Sequence, residues 1–186
     1  MNTVSEKFFL FSKSSFAPRQ KAELYDYICT HYQRRIAFYV SQIIPPDHDY
    51  YQDVCQEVMI KVYNHLETFN PLHSFKAWIF MIVRHQCLDL VKSKDEKQRK
   101  QCQGDPDLLG SGPGADPEQR LLRQELHDRI DFAVKSLPPL EREICYLRFY
   151  ENLKYREIGD IVGLDIAAVK SKIHSLKADL RRRLNR

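Results

Sequence analysis

Glycine is almost absent from this chain outside one short stretch, and that bounds the architecture before anything else does. Four of the six glycines (Gly104, Gly110, Gly112 and Gly114) fall between Gly104 and Pro117, interleaved with Pro106 and Pro113. Such a stretch buries little apolar surface and reads as an extended or mobile tether. On both sides of it apolar residues recur at helical spacing. The expected fold class is therefore all-α, two small helical domains joined by a flexible linker, which suits a length of 186 residues. The boundaries read as 1–19 for an N-terminal extension, 20–94 for the first domain, 95–119 for the linker and 120–186 for the second domain.

The second block ends in a helix–turn–helix. Tyr155, Ile158, Ile161 and Val162 line one face of a short helix. Gly163 can stop it in a left-handed turn at no steric cost, Leu164 plugs the turn, and Asp165 is a good N-cap for the next helix. That helix, from Ile166 to about Leu184, is expected to bury Ile166, Val169, Ile173, Leu176 and Leu180. From Ile166 onward seven cations (Lys170, Lys172, Lys177, Arg181, Arg182, Arg183, Arg186) oppose the single acid Asp179, a net of +6 in a chain whose total is +4. Charge concentrated on a second helix is what docking in a DNA major groove requires. Taken alone, the motif also permits a structural helix pair or an ordinary DNA-binding regulator.

The first block reads as three or four helices. The first, about 20–43, carries Leu24, Tyr27, Ile28, His31, Ile36, Tyr39, Val40 and Ile43 as its apolar stripe and is broken by Pro45-Pro46. Asp47 or Asp49 can cap the second, which runs to about Thr68 and turns Tyr51, Val54, Cys55, Val58, Val62 and Leu66 to one side. Asp53, Gln56, Glu57 and Lys61 form a separate polar stripe on it. After the loop Phe69-Asn70-Pro71-Leu72-His73, Ser74 can cap a third helix whose buried side is expected to hold Trp78, Ile79, Ile82, Leu88 and Val91.

Several classes of function find no support. No run of about 18 apolar residues exists, so no membrane insertion is expected. Five cysteines, an odd number without a secreted-scaffold pattern, fit free thiols in a reducing cytoplasm. His85/Cys87 and Cys29/His31 are i, i+2 pairs that diverge on a helix and cannot share one ion. There is no Cys-x-x-Cys, no phosphate-cradling glycine loop and no nucleophile motif, so neither metal, cofactor nor catalytic residue is expected.

Two sets of residues carry a resemblance. Asp53-Val-Cys-Gln56-Glu57-Val-Met-Ile-Lys61-Val-Tyr63, with Phe75-Lys-Ala-Trp78-Ile-Phe-Met-Ile82-Val-Arg84 and Asp89, resembles region 2 of bacterial sigma factors. Leu137-Pro-Pro-Leu-Glu-Arg-Glu143, Leu147-Arg-Phe-Tyr150, and Tyr155 through His174 resemble region 4. The short form with only these two regions resembles the extracytoplasmic-function, or group 4, subfamily. The resemblance implies a specificity subunit that binds core RNA polymerase and promoter DNA, recognises the −10 and −35 elements, helps open the duplex and catalyses nothing itself. Family members often pair with an anti-sigma factor.

The resemblance also implies roles for individual positions. Asp53, Gln56, Glu57 and Lys61 match the ridge that grips a coiled coil of the largest polymerase subunit. Asn70, His73, Ser74, Lys76, Arg84 and His85 fall in the part that opens the −10 element; the family usually has asparagine where His85 stands here. Trp78, behind this loop, repeats with Ile82 and reads as core. Ala167, Lys170, Ser171, Lys172, His174 and Ser175 lie on the matching recognition helix for the −35 element, the two lysines better suited to phosphates than to bases. Lys154 replaces the Ser or Thr that many relatives place before the first helix of the motif, which implies a slightly weaker helix start.

Overall fold

A computed structural model describes residues 18–70, 72–95, 129–130 and 132–184. The N-terminal extension as far as residue 17, and the linker with Cys102, lie outside the described residues apart from the linker's first residue. Among the described residues the regular structure is helical, and one continuous hydrophobic core runs through both blocks.

The first block is a bundle of α1 (Pro18–Ile43), α2 (Tyr51–His65) and α3 (Phe75–Asp95). Pro18 opens α1, where a missing N–H costs nothing, and the chain leaves helical geometry ahead of Pro45-Pro46. The buried stripe of α1 follows an i+4 series: Leu24, Ile28, Tyr32, Ile36, Val40 and, just past the helix, Ile44, with Tyr39 beside them. His31, expected in this stripe, is exposed; its Nδ1 lies 2.9 Å from the Tyr27 carbonyl and its ring stacks on Tyr27. An apolar partner at Tyr32, one position on, takes the inward place.

Helix α2 buries Val54, Val58 and Val62, and the 3-10 turn Leu66–Thr68 that follows buries Leu66. Its N-cap is Tyr50, without a side-chain bond, so neither Asp47 nor Asp49 serves as the expected cap. The entry is closed by backbone instead, with Tyr51 N–H donating to the His48 carbonyl at 2.8 Å. Ser74 does cap α3, its Oγ accepting from Ala77 N–H at 3.3 Å.

The buried side of α3 is rotated from the sequence expectation. Phe75, Ile79, Phe80, Val83 and Cys87 are buried, whereas Trp78, Ile82, Leu88 and Val91 are only half-buried. The reason is the second block, which packs on the flank carrying Phe80 and Arg84 and makes a two-sided helix of one that would be one-sided in an isolated bundle. At the start of α3, Phe69, Phe75 and Trp78 form an aromatic cluster with centroids 5.2–5.6 Å apart, and Tyr32 packs edge-on to Phe75. These rings hold both ends of the loop at 70–74.

The second block consists of α4 (Pro139–Cys145), a π-helical turn Tyr146–Tyr150, α5 (Tyr155–Val162) and α6 (Ile166–Leu184), preceded by helical residues at 132–135. Gly163 has φ of +74° and ends α5 as expected, and Asp165 caps α6, its Oδ1 accepting from Ala168 N–H at 2.6 Å. Lys154 is partly compensated, since Glu157 accepts from its backbone N–H at 2.7 Å. Val169, Ile173 and Leu176 of α6 are buried and Leu180 half-buried, but Ile166 is 51% exposed. Leu164 fills the corner between the helices, so packing of α6 starts one turn after Ile166.

Gly159 fixes how closely the turn can fold back. A Cβ there would stand 2.5 Å from the Leu164 carbonyl oxygen, while the Gly159 carbonyl accepts from Gly163 and Leu164 N–H at 2.8 and 3.0 Å. The clash is with backbone and cannot be relieved by a rotamer. Gly159→Ala should therefore destabilise the chain by about 1–3 kcal/mol in denaturant unfolding, despite alanine's better helix propensity.

Candidate nucleic-acid and polymerase interfaces

The ridge on α2 is built by spacing. Asp53, Gln56, Glu57 and Lys61 are all exposed, opposite the buried Val54, Val58 and Val62. Glu57 accepts from Gln86 of α3 at 3.3 Å, which orients one carboxylate of the set. Ile60 completes the stripe and is 58% exposed. The sequence expectation passed over it, although its i+3 and i+4 relations to Glu57 and Gln56 were the available signal. An apolar side chain flanked by charged ones is the composition of a protein-binding surface with a small desolvated centre.

The loop between α2 and α3 brings Asn70, His73 and Ser74 together. Asn70 Oδ1 accepts from Leu72 N–H at 3.0 Å and its carbonyl accepts from His73 N–H, so the acceptor end of its carboxamide shapes the turn and the NH2 remains as donor. Ser74 likewise spends its acceptor capacity on the α3 cap. His73 and His85 are exposed. Leu72, which the sequence reading left without a role, is 85% exposed at the tip, an apolar group presented to solvent on a pinned loop.

Helix α6 presents Ala167, Lys170, Ser171, His174 and Ser175 on its exposed face, with Lys172 half-buried at the edge. These six share the outer side of the second helix in a helix–turn–helix, with Lys177, Arg181 and Arg182 exposed further along. Cationic groups on that side supply electrostatic attraction for a phosphate backbone, and the short polar groups can reach base edges.

Lys76 and Arg84 are placed differently from the rest of their set. They stand eight residues apart on α3, on the flank facing the second block. Arg84 Nε donates to Glu143 Oε2 of α4 at 2.7 Å, and its Nη1 reaches the Ile161 carbonyl near the end of α5 at 3.4 Å, where helix carbonyls lack intrahelical donors. Tyr39 donates to the same Glu143 oxygen at 3.0 Å. Lys76 Nζ donates to the Glu151 backbone carbonyl at 3.3 Å and lies 4.0 Å from its carboxylate. That carboxylate is paired with Arg35 of α1, whose Nε donates at 2.8 Å and whose Nη2 pairs with the second oxygen.

The π-helical turn accounts for where Glu151 sits. Its N–H donates to the Tyr146 carbonyl five residues back at 3.1 Å, which brings the Glu151 carboxylate beside the Tyr146 ring. The Tyr146 hydroxyl lies 2.8 Å from Glu151 Oε1 and 3.0 Å from the Arg35 carbonyl, sharing one proton between two acceptors. Asn152, at φ of +57°, turns the chain out of the junction. Around these polar contacts Tyr39, Phe80 and Tyr146 pack with centroids 5.2–5.9 Å apart, and Phe38 and Tyr150 extend the cluster outward.

Comparison with known families and proteins agrees with this division. The family model "Sigma-70 region 2" matches residues 28–97 and "Sigma-70, region 4" matches 127–180. The chain is 24% identical to the ECF RNA polymerase sigma factor SigW of Bacillus subtilis over 143 residues, covering 72% of this chain and 74% of that protein. It is 28% identical to the ECF RNA polymerase sigma-E factor of Escherichia coli over 163 residues, covering 83% and 82%. Its fold is similar to that of the sigma factor RpoE in a co-crystal with the anti-sigma factor NepR from Bartonella quintana, with a TM-score of 0.66, 16% identity, and 86% and 96% of the two chains covered.

The junction also perturbs titration. Burial, then the neighbouring Glu143, holds the Tyr39 phenol well above its ordinary range, and burial with Glu151 does the same for Tyr146. Burial pushes the Cys87 thiol up to about 12 and Cys145 to about 11. All four groups keep their protons more strongly when folded, so their contribution is complete at neutral pH. It is lost as pH rises from about 9, where the unfolded thiol ionises, toward about 12. Phenolate absorbance should accordingly show a late set of tyrosines that ionises together with loss of helical circular dichroism. Tyr146→Phe should remove one phenolate from that late set.

Proposed function

The chain belongs to the extracytoplasmic-function branch of the sigma-70 family, and from that premise we propose how its surfaces divide the work. It is a non-enzymatic initiation subunit that binds core RNA polymerase and directs it to promoter DNA. The single observation that carries the division is that the exposed α2 ridge lies on one block and the cationic face of α6 on the other.

The ridge of Asp53, Gln56, Glu57, Ile60 and Lys61 binds the polymerase. Ile60 supplies the desolvated centre, and the surrounding charged groups supply register and orientation. The exposed face of α6, with Ala167, Lys170, Ser171, Lys172, His174 and Ser175, reads the −35 element. The lysines hold phosphates, and Ser171, His174 and Ser175 face base edges. The loop with Asn70, Leu72, His73 and Ser74, backed by Lys76, Arg84 and His85, opens the −10 element. An unstacked base costs a few kcal/mol, which stacking and edge hydrogen bonds must recover.

Domain limits of 20–94 and 120–186, with a tether at 95–119, complete this reading; apart from residue 95 the tether lies outside the described residues. No helix among the described residues is long and apolar enough to cross a membrane, and a cytoplasmic location is supported by free thiols and a DNA partner. An anti-sigma factor is a further partner in this reading, supported by the likeness to RpoE, which was solved with one.

Two measurements test the division. Gln56→Ala with Glu57→Ala should weaken core polymerase binding by roughly 2–4 kcal/mol at unchanged helix content, as loss of interface hot spots does. Lys170→Ala with Lys172→Ala should instead leave the polymerase bound and weaken promoter binding evenly across sequences, lowering the salt slope by about one for each phosphate no longer neutralised. Polymerase binding that survives the first pair of changes rules out the ridge.

Melting has its own test. Asn70→Ala with His73→Ala should reduce transcription from duplex promoters while polymerase binding persists. A template mismatched in advance at the −10 element should restore much of that activity, because the unstacking cost has already been met. Equal loss on both templates would leave the loop a structural role only.

A further inference from the structure

Ile166 opens α6 and stands half out of the protein, 51% exposed, while the apolar stripe of the same helix begins at Val169. Leu164 packs against the core in its place. The position is nonetheless fixed. Asp165 closes the first turn twice, its Oδ1 accepting from Ala168 N–H at 2.6 Å and its carbonyl from Val169 N–H at 3.0 Å. The close approach of Gly159 to the Leu164 carbonyl sets the angle at which α6 leaves the turn. A β-branched side chain on a helix keeps essentially one χ1 rotamer, so the methyl groups of Ile166 are held in one direction.

That direction belongs to the face assigned above to the −35 element. At about 100° per residue, Lys170, Lys177 and Arg181 follow Ile166 at i+4, i+11 and i+15 within about 60° of rotation, and all three are exposed. Ile166 therefore heads a cationic row, with the small Ala167 exposed beside it. In a helix–turn–helix the N-terminal residues of the second helix reach the base edges, while lysines and arginines hold phosphates. An isoleucine at that end offers neither charge nor hydrogen bond. The apolar group that a major groove presents is the C5-methyl of thymine. We propose that Ile166 is a specificity-determining residue of region 4, its methyl groups packing on the C5-methyl of a thymine at the end of the −35 element that the α6 N-terminus enters. Ser171, His174 and Ser175 have only polar groups for this purpose, so Ile166 adds a kind of readout that they lack. The assignment rests on the reading of the −35 element by α6.

The test uses holoenzyme assembled from core polymerase and the full-length chain, on a promoter found by run-off transcription of genomic fragments. Each thymine of the −35 element is replaced singly by deoxyuridine, which removes the C5-methyl and keeps every hydrogen-bonding group. One buried methyl corresponds to about fourfold in affinity, so one of these replacements should weaken promoter binding by the wild type about three- to fivefold. Ile166→Ala should show at least that loss on the thymine promoter and be indifferent to the replacement, whereas Ile166→Val should keep the sensitivity. Such non-additivity belongs to two groups in contact, and alanine is the better helix former, so a loosened helix does not produce it. The salt slope of Ile166→Ala should stay that of the wild type, because no phosphate contact is removed. Lys170→Ala should give the opposite pattern, a lower slope with the deoxyuridine effect intact. A wild-type holoenzyme indifferent to deoxyuridine at every −35 thymine, or an Ile166→Ala holoenzyme that keeps the full effect, overturns the proposal. Loss of core polymerase binding in Ile166→Ala overturns it too, making Ile166 a protein contact. Indifference of the wild type to every base-pair change in the element overturns the underlying reading of α6 instead.

Discussion

A carboxylate removed from water must be given donors, and the organisation of this molecule follows from where Glu143 and Glu151 find theirs. Leaving either one buried and unpaired would cost several kcal/mol, a large share of what a chain of this size has to spare. Because Tyr39, Arg35 and Arg84 stand on α1 and α3, neither carboxylate has its full set of donors unless α4 and the π-helical turn lie against the first bundle. The apolar contacts then follow the polar ones: Tyr146 packs on Tyr39 and Phe80, and Arg84 meets carbonyl oxygen at the end of α5. Buried ion pairs are weak contributors to net stability, but they discriminate strongly among arrangements, since any misplacement leaves a charge without a partner.

The local features of the fold were legible in the residues. Gly163, Asp165 and Ser74 do what their chemistry suggests, because a left-handed turn and an N-cap depend on neighbours within four positions. The stripe on α3 was misread for the opposite reason. Phe80 and Arg84 meet Tyr146 and Glu143 of the second block, and no periodicity within α3 shows which of its flanks so distant a partner will cover. His31 and Ile166 are smaller errors of the same kind, both apolar-compatible residues at the margin of a stripe whose true centre lies one position or one turn away.

The candidate site divides along the same line. The α2 ridge was readable because a stripe of exposed polar residues opposite three valines is a property of one helix, and only Ile60 escaped. The cationic face of α6 was readable from composition alone. The contacts of Arg84 and Lys76 with Glu143 and Glu151 were not, since a cation on a helix reads the same whether its partner is a phosphate or a distant glutamate. Glu143 and Glu151 themselves carry no local signal of burial, and Glu151 depends on a π-turn that periodicity arguments do not anticipate.

That π-turn sets a narrow tolerance to changes in chain length where it stands. A residue in an α-helix advances the chain by about 100° of rotation, given 3.6 residues per turn. A π-helical turn typically holds one residue more than the α-helix would. Losing a single residue between Tyr146 and Tyr150 would let the segment relax into ordinary helix. Glu151 would then swing away from Arg35, and α5 and α6 would be re-aimed as a rigid unit relative to α4. The five residues from Tyr146 to Tyr150 therefore act as a fixed count that sets the aim of α5 and α6.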